Sequence, residues 1–502
     1  MNDSLQGMAQ KQKAWTLAAW ALLVLAPWIQ LAAISLAIGQ NALAAYPVWS
    51  DELGYWRSLF SWVNVGFSSG YNGIGEHAPL LGTLNVHGLA PLLLYGGWSS
   101  LFGLSYNSIV VYNALWISLA ALAFCLLAKP KAGTAALLAV LFMVFAPAVL
   151  YASTSMTELF NYALLLLFAG LFLRGQASKK AWPKVLCWVV VVLACLYRAV
   201  YFVLFIPLIV VDRAQLFSKK TVALLFLALG LSAGAYLTGA AITAPYPSGF
   251  LYNWIRVEDF GIFIRMFLSH AKGNLYDYFI RYTASPIEDG LRWLYCAATA
   301  WTLLGSFLRL ERNNGRLRLR IGLNPLFIAC FLLLFVPFAV VIMMYETNDW
   351  NDFRTLAPFL WVIALLLASR GKKALPSFLL AGSLAMVVCL CTLPPVGAFQ
   401  DEYRFTQPPY SQEVAEACLS IEYKANTVDP FENTIRADLA TFQVMETVDP
   451  RMGLLYGWFT PANTGKSRWV LTDHLKIVMQ DYAPVYTVHG AKVYVKTTNG
   501  EP

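Results

Sequence analysis

The chain reads as an α-helical polytopic membrane protein of about eleven transmembrane helices with a small C-terminal α/β domain outside the membrane. Hydrophobic residues fill 58% of its 502 positions and charged residues only 13%, a balance few soluble folds tolerate. Apolar runs able to cross a hydrocarbon core of roughly 30 Å recur as far as residue 394. Beyond about residue 395 the composition turns polar and short alternating segments replace them.

The formal net charge of +8 falls mainly in short loops between apolar runs, where lysine and arginine set orientation, so it argues for topology and against a nucleic-acid partner. Of the eight cysteines, all but Cys418 lie in apolar runs, where a thiol acts as a small hydrophobe, and no disulfide framework is implied. Residues 1–13 are polar. The run from Ala14 to Ile38 is too long for a signal-peptide core and reads as the first helix.

Further candidate spans lie near 108–128, 132–151, 158–173, 221–243, 291–308, 324–344, 356–369 and 375–394. The run from Val185 to Val211 would be about 40 Å long as one helix. Basic loops bracket it, with Lys179, Lys180 and Lys184 before and Arg213, Lys219 and Lys220 after. Both loops are expected on the cytoplasmic side, so the run is expected to fold as two short helices meeting at a tip near Tyr197 and Arg198. With that hairpin the amino terminus, Lys129 and Lys131, Arg309 to Arg320 and the Arg370–Lys373 turn all fall inside, in an inner (plasma) membrane. The first outer loop (39–107), the turn at Glu158, the loop 245–290, the turn 345–355 and the tail fall outside, with all five histidines. The chain divides into a membrane module, 1–394, and an extracytoplasmic domain, 395–502. In that domain, 411–424 is expected to be helical, while SRWVLTDH and APVYTVHGAKVYVKT read as strands, the latter a hairpin across His489-Gly490. The sequence TVDP, at 427–430 and 447–450, reads as an Asp-Pro turn used twice.

Candidate chemistry gathers on the outer side. Asp51 and Glu52 head an aromatic-rich segment, WSDELGYWRSLFSW, and the same loop carries Glu76, His77 and His87. A carboxylate held at the membrane surface is costly without a use, although Asp51 could cap the following helix with Glu52 in its first turn. Glu158 follows Ser153, Thr154 and Ser155, which equally suits a helix start. Arg198, at a hairpin tip below the outer surface, could pair with Glu158 or hold a phosphate, for which a guanidinium offers forked donors. Arg354 could pair with Asp349 or Asp352, or stand as a second cation beside that phosphate. The 245–290 loop alternates aromatics and bases (Trp254, Arg256, Arg265, Phe267, His270, Lys272, Arg281), which suits an amphipathic segment lying on the membrane. Walker A, HExxH and CxxC patterns are absent from the sequence.

On these residues the chain resembles the GT-C superfamily of membrane glycosyltransferases, similar to its protein mannosyltransferase and aminoarabinose transferase class. The resemblance rests on the acid pair after helix one, HGLAPLLLYGGWSSLFG, the STSMTE turn, LYRAVYFVLFIPL and FRTLAPFL, and spans about residues 14–370. At His87-Gly88-Leu89 the chain departs from the His-Pro-Pro of many members. The resemblance implies a GT-C fold and inverting transfer of a sugar from a polyprenyl-phosphate donor to a hydroxyl of a cell-envelope glycan, lipid or protein. It implies Asp51 as general base; a leaving lipid phosphate needs its developing charge stabilised, and Arg198 with Arg354 are the residues expected to hold it. Glu158 would orient the acceptor, and Glu52, Glu76, His77 and His87 would contact substrate. No cofactor or metal is required, a divalent cation near Asp51 and Glu158 being an optional extra. Besides membrane lipids, donor and acceptor are the expected partners, and the state a monomer or weak oligomer. The competing readings are a secondary transporter or flippase, a non-catalytic scaffold or sensor, and a lipid-pyrophosphate-dependent glycan polymerase or ligase. A transporter is expected to show repeated halves and charges near the midplane, whereas here the charges gather at one surface.

Overall fold

In the computed structural model, residues 2–66, 92–178, 180–211, 218–242, 259–281, 286–313, 316–344, 353–392, 403–409, 411–437, 442–456, 467–472, 482–488 and 491–496 are described. The membrane module runs α1 (Asn2–Ile38), α2 (Ser50–Val65), α3 (Gly97–Phe102), α4 (Ser108–Ala128), α5 (Ala132–Val144), α6 (Ala146–Tyr151), α7 (Glu158–Ala177), α8 (Trp182–Tyr197) and α9 (Phe205–Val210). It continues through α10 (Lys219–Ile242), α11 (Phe260–Phe279), α12 (Pro286–Phe307), the strands β1 (Leu308–Asn313) and β2 (Arg316–Ile321), α13 (Pro325–Met344), α14 (Phe353–Ser369) and α15 (Ala374–Thr392).

Among the described residues six helices are long and apolar enough to cross a membrane: Gln10–Ile38, Ser108–Ala128, Glu158–Ala177, Lys219–Gly239, Pro325–Met343 and Ala374–Cys391. Two of the other apolar runs, 132–151 and 185–211, break within the run. The run 132–151 divides at Phe145, where Pro147 cannot donate to the turn before it. Gln30 of α1 donates to the Phe142 and Met143 carbonyls, both at 3.1 Å, and so supplies the donor this break removes.

The run 185–211 also breaks. α8 ends at Tyr197, Arg198 is extended (φ −145°, ψ 122°), and a 3-10 turn over Ala199–Leu204 leads into α9. The Trp188 and Phe205 rings lie 4.7 Å apart, whereas seventeen residues of straight helix would separate them by about 25 Å. The chain therefore reverses at Arg198, as the basic loops on either side predict. α8 turns one side to the bundle and leaves the other outside it: Cys187, Val191 and Ala194 are buried, while Val185, Leu186, Val189 and Leu193 are exposed.

α14 is the centre of the bundle. Every residue from Leu356 to Ala368 is buried, as expected of a helix apolar all round. α4 and α7 pack closely at Gly170, where a Cβ would come within 3.1 Å of the Phe124 Cα.

The tail holds α16 (Ser411–Cys418), β3 (Thr434–Ala437), α17 (Phe442–Thr447), β4 (Gly453–Tyr456), β5 (Trp469–Thr472), β6 (Tyr482–Val488) and β7 (Ala491–Lys496), with sheet order β4-β3-β5-β7-β6. The expected hairpin is β6–β7, antiparallel from Tyr482 opposite Lys496 to Val488 opposite Ala491. The sequence reading missed β3 and β4, which join the sheet in parallel. Both TVDP segments make the expected turn: Asp429 accepts from the Phe431 N–H and Asp449 from the Arg451 N–H, each at 2.9 Å.

This domain is seated on α2. Leu53, Tyr55, Trp56 and Leu59 of α2 share a buried cluster with Val414, Phe442, Met445 and Met452. At its centre Arg57, 1% exposed, donates to the carbonyls of Met445 (2.9 Å), Val448 (2.8 Å), Met452 (3.2 Å) and Asp449. Met445 lies in the last turn of α17, and the other three lie in the segment that follows it. Burial draws the Arg57 guanidinium down to about 9, so it is still a cation at neutral pH. Arg57→Met is expected to strand these carbonyls and cost about 2–4 kcal/mol. Hydrogen exchange should then speed up across 442–456 while α7 and α14 stay protected; equal protection in both proteins would refute the clamp.

Candidate functional site

Asp51 and Glu52 are neighbours in the first turn of α2, and a helix turns by about 100° per residue, so they face different surroundings. Glu52 is fully buried. One of its carboxylate oxygens accepts from the Val48 and Trp49 N–H groups, both at 2.9 Å, which caps α2 from within. The other accepts from the Ser155 N–H at 2.6 Å, in the turn before α7. Arg404 grips both oxygens, at 2.9 and 3.1 Å, and its guanidinium lies 4.7 Å from the centre of the Trp49 ring. Glu52, expected to contact sugar, is thus occupied entirely by protein donors.

Asp51 faces the other way and meets Arg354, whose Nη1 donates to its Oδ2 at 2.9 Å. Both side chains are partly open, 27% and 33% exposed. Arg354 stands in the first turn of α14, where a cation opposes the helix dipole and gains from a carboxylate partner. Asp349 and Asp352, the partners first expected for it, lie outside the described residues.

Glu158 begins α7, and Arg198 at the hairpin tip donates to its Oε1 at 2.5 Å. Glu158 is buried and Arg198 is 23% exposed, so one edge of this pair is open. The hydroxyls before Glu158 do not cap α7: its N-cap Thr157 makes no side-chain cap bond. Instead the Thr157 carbonyl accepts from the Tyr197 hydroxyl at 2.8 Å, which fastens the hairpin tip to the start of α7.

Tyr55, one turn after Asp51 on α2, lies between the two pairs. Its hydroxyl is 3.5 Å from the Thr157 Oγ1. Burial foremost, then the charges of Asp51 and Glu158, hold its phenol well above the ordinary value, so it stays protonated. Asp51, Glu158, Arg198 and Arg354, drawn from four distant segments, therefore meet at one end of the bundle. Several buried polar atoms here have no protein partner: the Glu158 Oε2, both amide atoms of Asn161 one turn on, and the Ser153 and Ser155 hydroxyls. Such atoms call for a bound polar group or water. Glu76, His77 and His87 lie outside the described residues.

The starts of α2, α7 and α14 converge on this site, each bringing the positive end of a helix dipole. With two guanidiniums beside them, the setting suits an anion. It is a poor fit for a cation, because Asp51 and Glu158 each already face an arginine. Among the described residues no three metal-ligating side chains gather. No protein-family model matches the chain, and no curated protein matches its sequence.

Sequence reasoning missed Arg404 and Arg57, which lie in segments read only as tail and as aromatic loop. Their signal was an arginine next to an aromatic residue, Tyr403-Arg404-Phe405 and Trp56-Arg57, outside any basic cluster.

Removing the Glu52 charge should leave Arg404 buried without a counter-ion. Glu52→Gln is expected to cost about 3–5 kcal/mol, and a second change, Arg404→Met, to restore a large part of it. Thermal unfolding of the single and double variants in detergent measures this, and additive losses would show that the two residues are not coupled.

Proposed function

We propose that the chain is an integral membrane glycosyltransferase of GT-C type, with about eleven crossings and its site on the extracytoplasmic face of the inner membrane. It moves a sugar from a polyprenyl-phosphate donor to a hydroxyl of a glycan, lipid or protein. The observation that carries this reading is the meeting of Asp51, Glu158, Arg198 and Arg354 as two ion pairs around Tyr55. A site balanced in this way can release a carboxylate and a guanidinium together when an anion arrives.

In the resting state Arg354 occupies Asp51. The phosphate of the donor competes for Arg354, and as it takes the guanidinium it leaves Asp51 free to act as a base. Asp51 then accepts the proton of the acceptor hydroxyl, and the oxygen attacks the anomeric carbon. The bond from that carbon to the phosphate oxygen breaks, the lipid phosphate leaves with the electron pair, and configuration inverts. Arg198 and Arg354 stabilise the charge that develops on the leaving group. Glu158, with one oxygen on Arg198 and the other without a protein partner, is placed to orient the acceptor. Glu52 serves as a positioning residue, holding the start of α2 so that Asp51 faces the opening.

Asp51→Asn should reach the membrane at the native level and lower transfer by about 10²–10⁴-fold, the usual contribution of a general base. Arg354→Gln should lower it by about 10²–10³-fold, because one phosphate-stabilising donor group is lost. Mass spectrometry of surface glycans, from cells lacking the protein and cells carrying each variant, reads both effects. A profile unchanged by loss of the whole protein would overturn the transferase reading, and full transfer by Asp51→Asn would overturn the base assignment.

A further inference from the structure

The segment joining α12 to α13 alternates leucine and arginine on both arms, Leu308-Arg309-Leu310 and Arg316-Leu317-Arg318-Leu319-Arg320-Ile321. A basic loop between two helices needs no such order; an amphipathic strand pair does. β1 and β2 pair antiparallel, and the register separates the two residue types. Leu308 is opposite Ile321, Leu310 opposite Leu319 and Arg312 opposite Leu317 on one face. Arg309 is opposite Arg320, Glu311 opposite Arg318 and Asn313 opposite Arg316 on the other. By strand alternation the leucine and isoleucine positions share one face with position 312, and the positions of Arg309, Arg316, Arg318 and Arg320 share the other with Glu311 and Asn313.

The hairpin is rooted in the helix pair. The Gly322 N–H donates to the Phe307 carbonyl and the Asn324 N–H to the Ser306 carbonyl, both at 2.9 Å, so the bonding ladder runs on into the ends of α12 and α13. Just inside that root the helices touch so closely that a Cβ on Gly305 would collide with the Phe327 ring. α13 contains the membrane-length span Pro325–Met343, so the hairpin starts within a few residues of the bilayer surface and extends about 20 Å from it at most. Two-stranded hairpins are marginal in water. At the root of the apolar face Leu308 is 37% and Ile321 is 80% exposed, with Leu323 beyond them at 59%.

We propose that this hairpin docks on anionic phospholipid headgroups of the membrane the chain spans. Its apolar face rests at the acyl boundary, which brings the arginine-bearing face to the level of the phosphates. The root position, the exposed apolar residues at that root and the charge of the opposite face all fit that occupant. None of them depends on the chemistry of the candidate site.

The full-length chain in nanodiscs of phosphatidylcholine, with and without phosphatidylglycerol, tests this by hydrogen exchange of the 308–321 amides. Exchange should be slower by about tenfold in the anionic discs, from headgroup attraction to several arginines. Changing Arg316, Arg318 and Arg320 together to Gln should abolish the difference, and changing them to Lys should keep it. Exchange of the α13 amides reports whether each variant is folded; if the Gln variant is not, the native and Lys chains decide. Equal exchange in the two discs overturns the proposal. So does slowing that appears only when soluble polyglutamate is added, which would assign the hairpin to an acidic protein.

Discussion

Both oxygens of Glu52 are committed to protein donors, and the geometry of the site depends on that one carboxylate. It joins three parts of the chain far apart in sequence: the start of α2, the turn before α7 and Arg404 ahead of the tail domain. A buried charge of this kind is tolerated only when its lone pairs are satisfied and a counter-ion is present. Here backbone donors and a forked guanidinium meet both conditions. Because Glu52 fixes how α2 is rotated, it also fixes where Asp51 faces. The two adjacent acids divide their roles through helix geometry alone, one turned inward to build and one turned toward the opening.

The tail takes part in the same construction. α2 presents Glu52 to Arg404, Arg57 to the carbonyls after α17, and the Ser61 hydroxyl to the Pro450 carbonyl at 2.7 Å. Trp56 and Tyr46 pack edge-on against Phe442, with ring centres 4.7 and 5.6 Å apart. The helix that carries Asp51 is therefore clamped between bundle and tail, so that it does not float as a surface loop. Burial of aromatic rings on one side and satisfaction of backbone carbonyls on the other are independent contributions, and both favour one seating.

The parts that were legible in the sequence are those with a local physical cause. A charge in mid-run between two basic loops marked the reversal at Arg198, and Asp-Pro marked both tail turns. Alternation with His489-Gly490 marked β6 and β7. Glu158 with Arg198 was legible as a pairing, but Asp51 with Arg354 was not, because 303 positions separate them and two nearer aspartates competed. Glu52 was misjudged for a related reason: helix rotation decides which of two adjacent acids is buried, and only packing against Ser155 and Arg404 sets the rotation. β1 and β2 carry a visible alternation of leucine and arginine, but a dense run of arginine between two apolar helices reads equally as a topology signal. β3 and β4 are four residues each, too short for alternation to be distinguished from loop.

The two ion pairs of the site differ in how easily they can exchange partners, and that difference bears on the proposed chemistry. Two unit charges about 4 Å apart attract by about 4 kcal/mol near a protein surface and by about 1 kcal/mol in bulk water. Asp51 and Arg354 are each about a third exposed, so water and ions screen them and the pair contributes little to stability. An arriving phosphate needs to offer Arg354 only slightly more than Asp51 does. Glu158 is almost fully buried and Arg198 is held beside it by the hairpin tip, where Tyr197 bonds to the Thr157 carbonyl. Pulling Arg198 away would leave a buried carboxylate without its cation, which is far costlier. Arg198 therefore suits the role of a fixed cation that meets a phosphate with its exposed edge while keeping Glu158. Arg354 suits that of an exchangeable one, whose departure would release the base in the proposed mechanism.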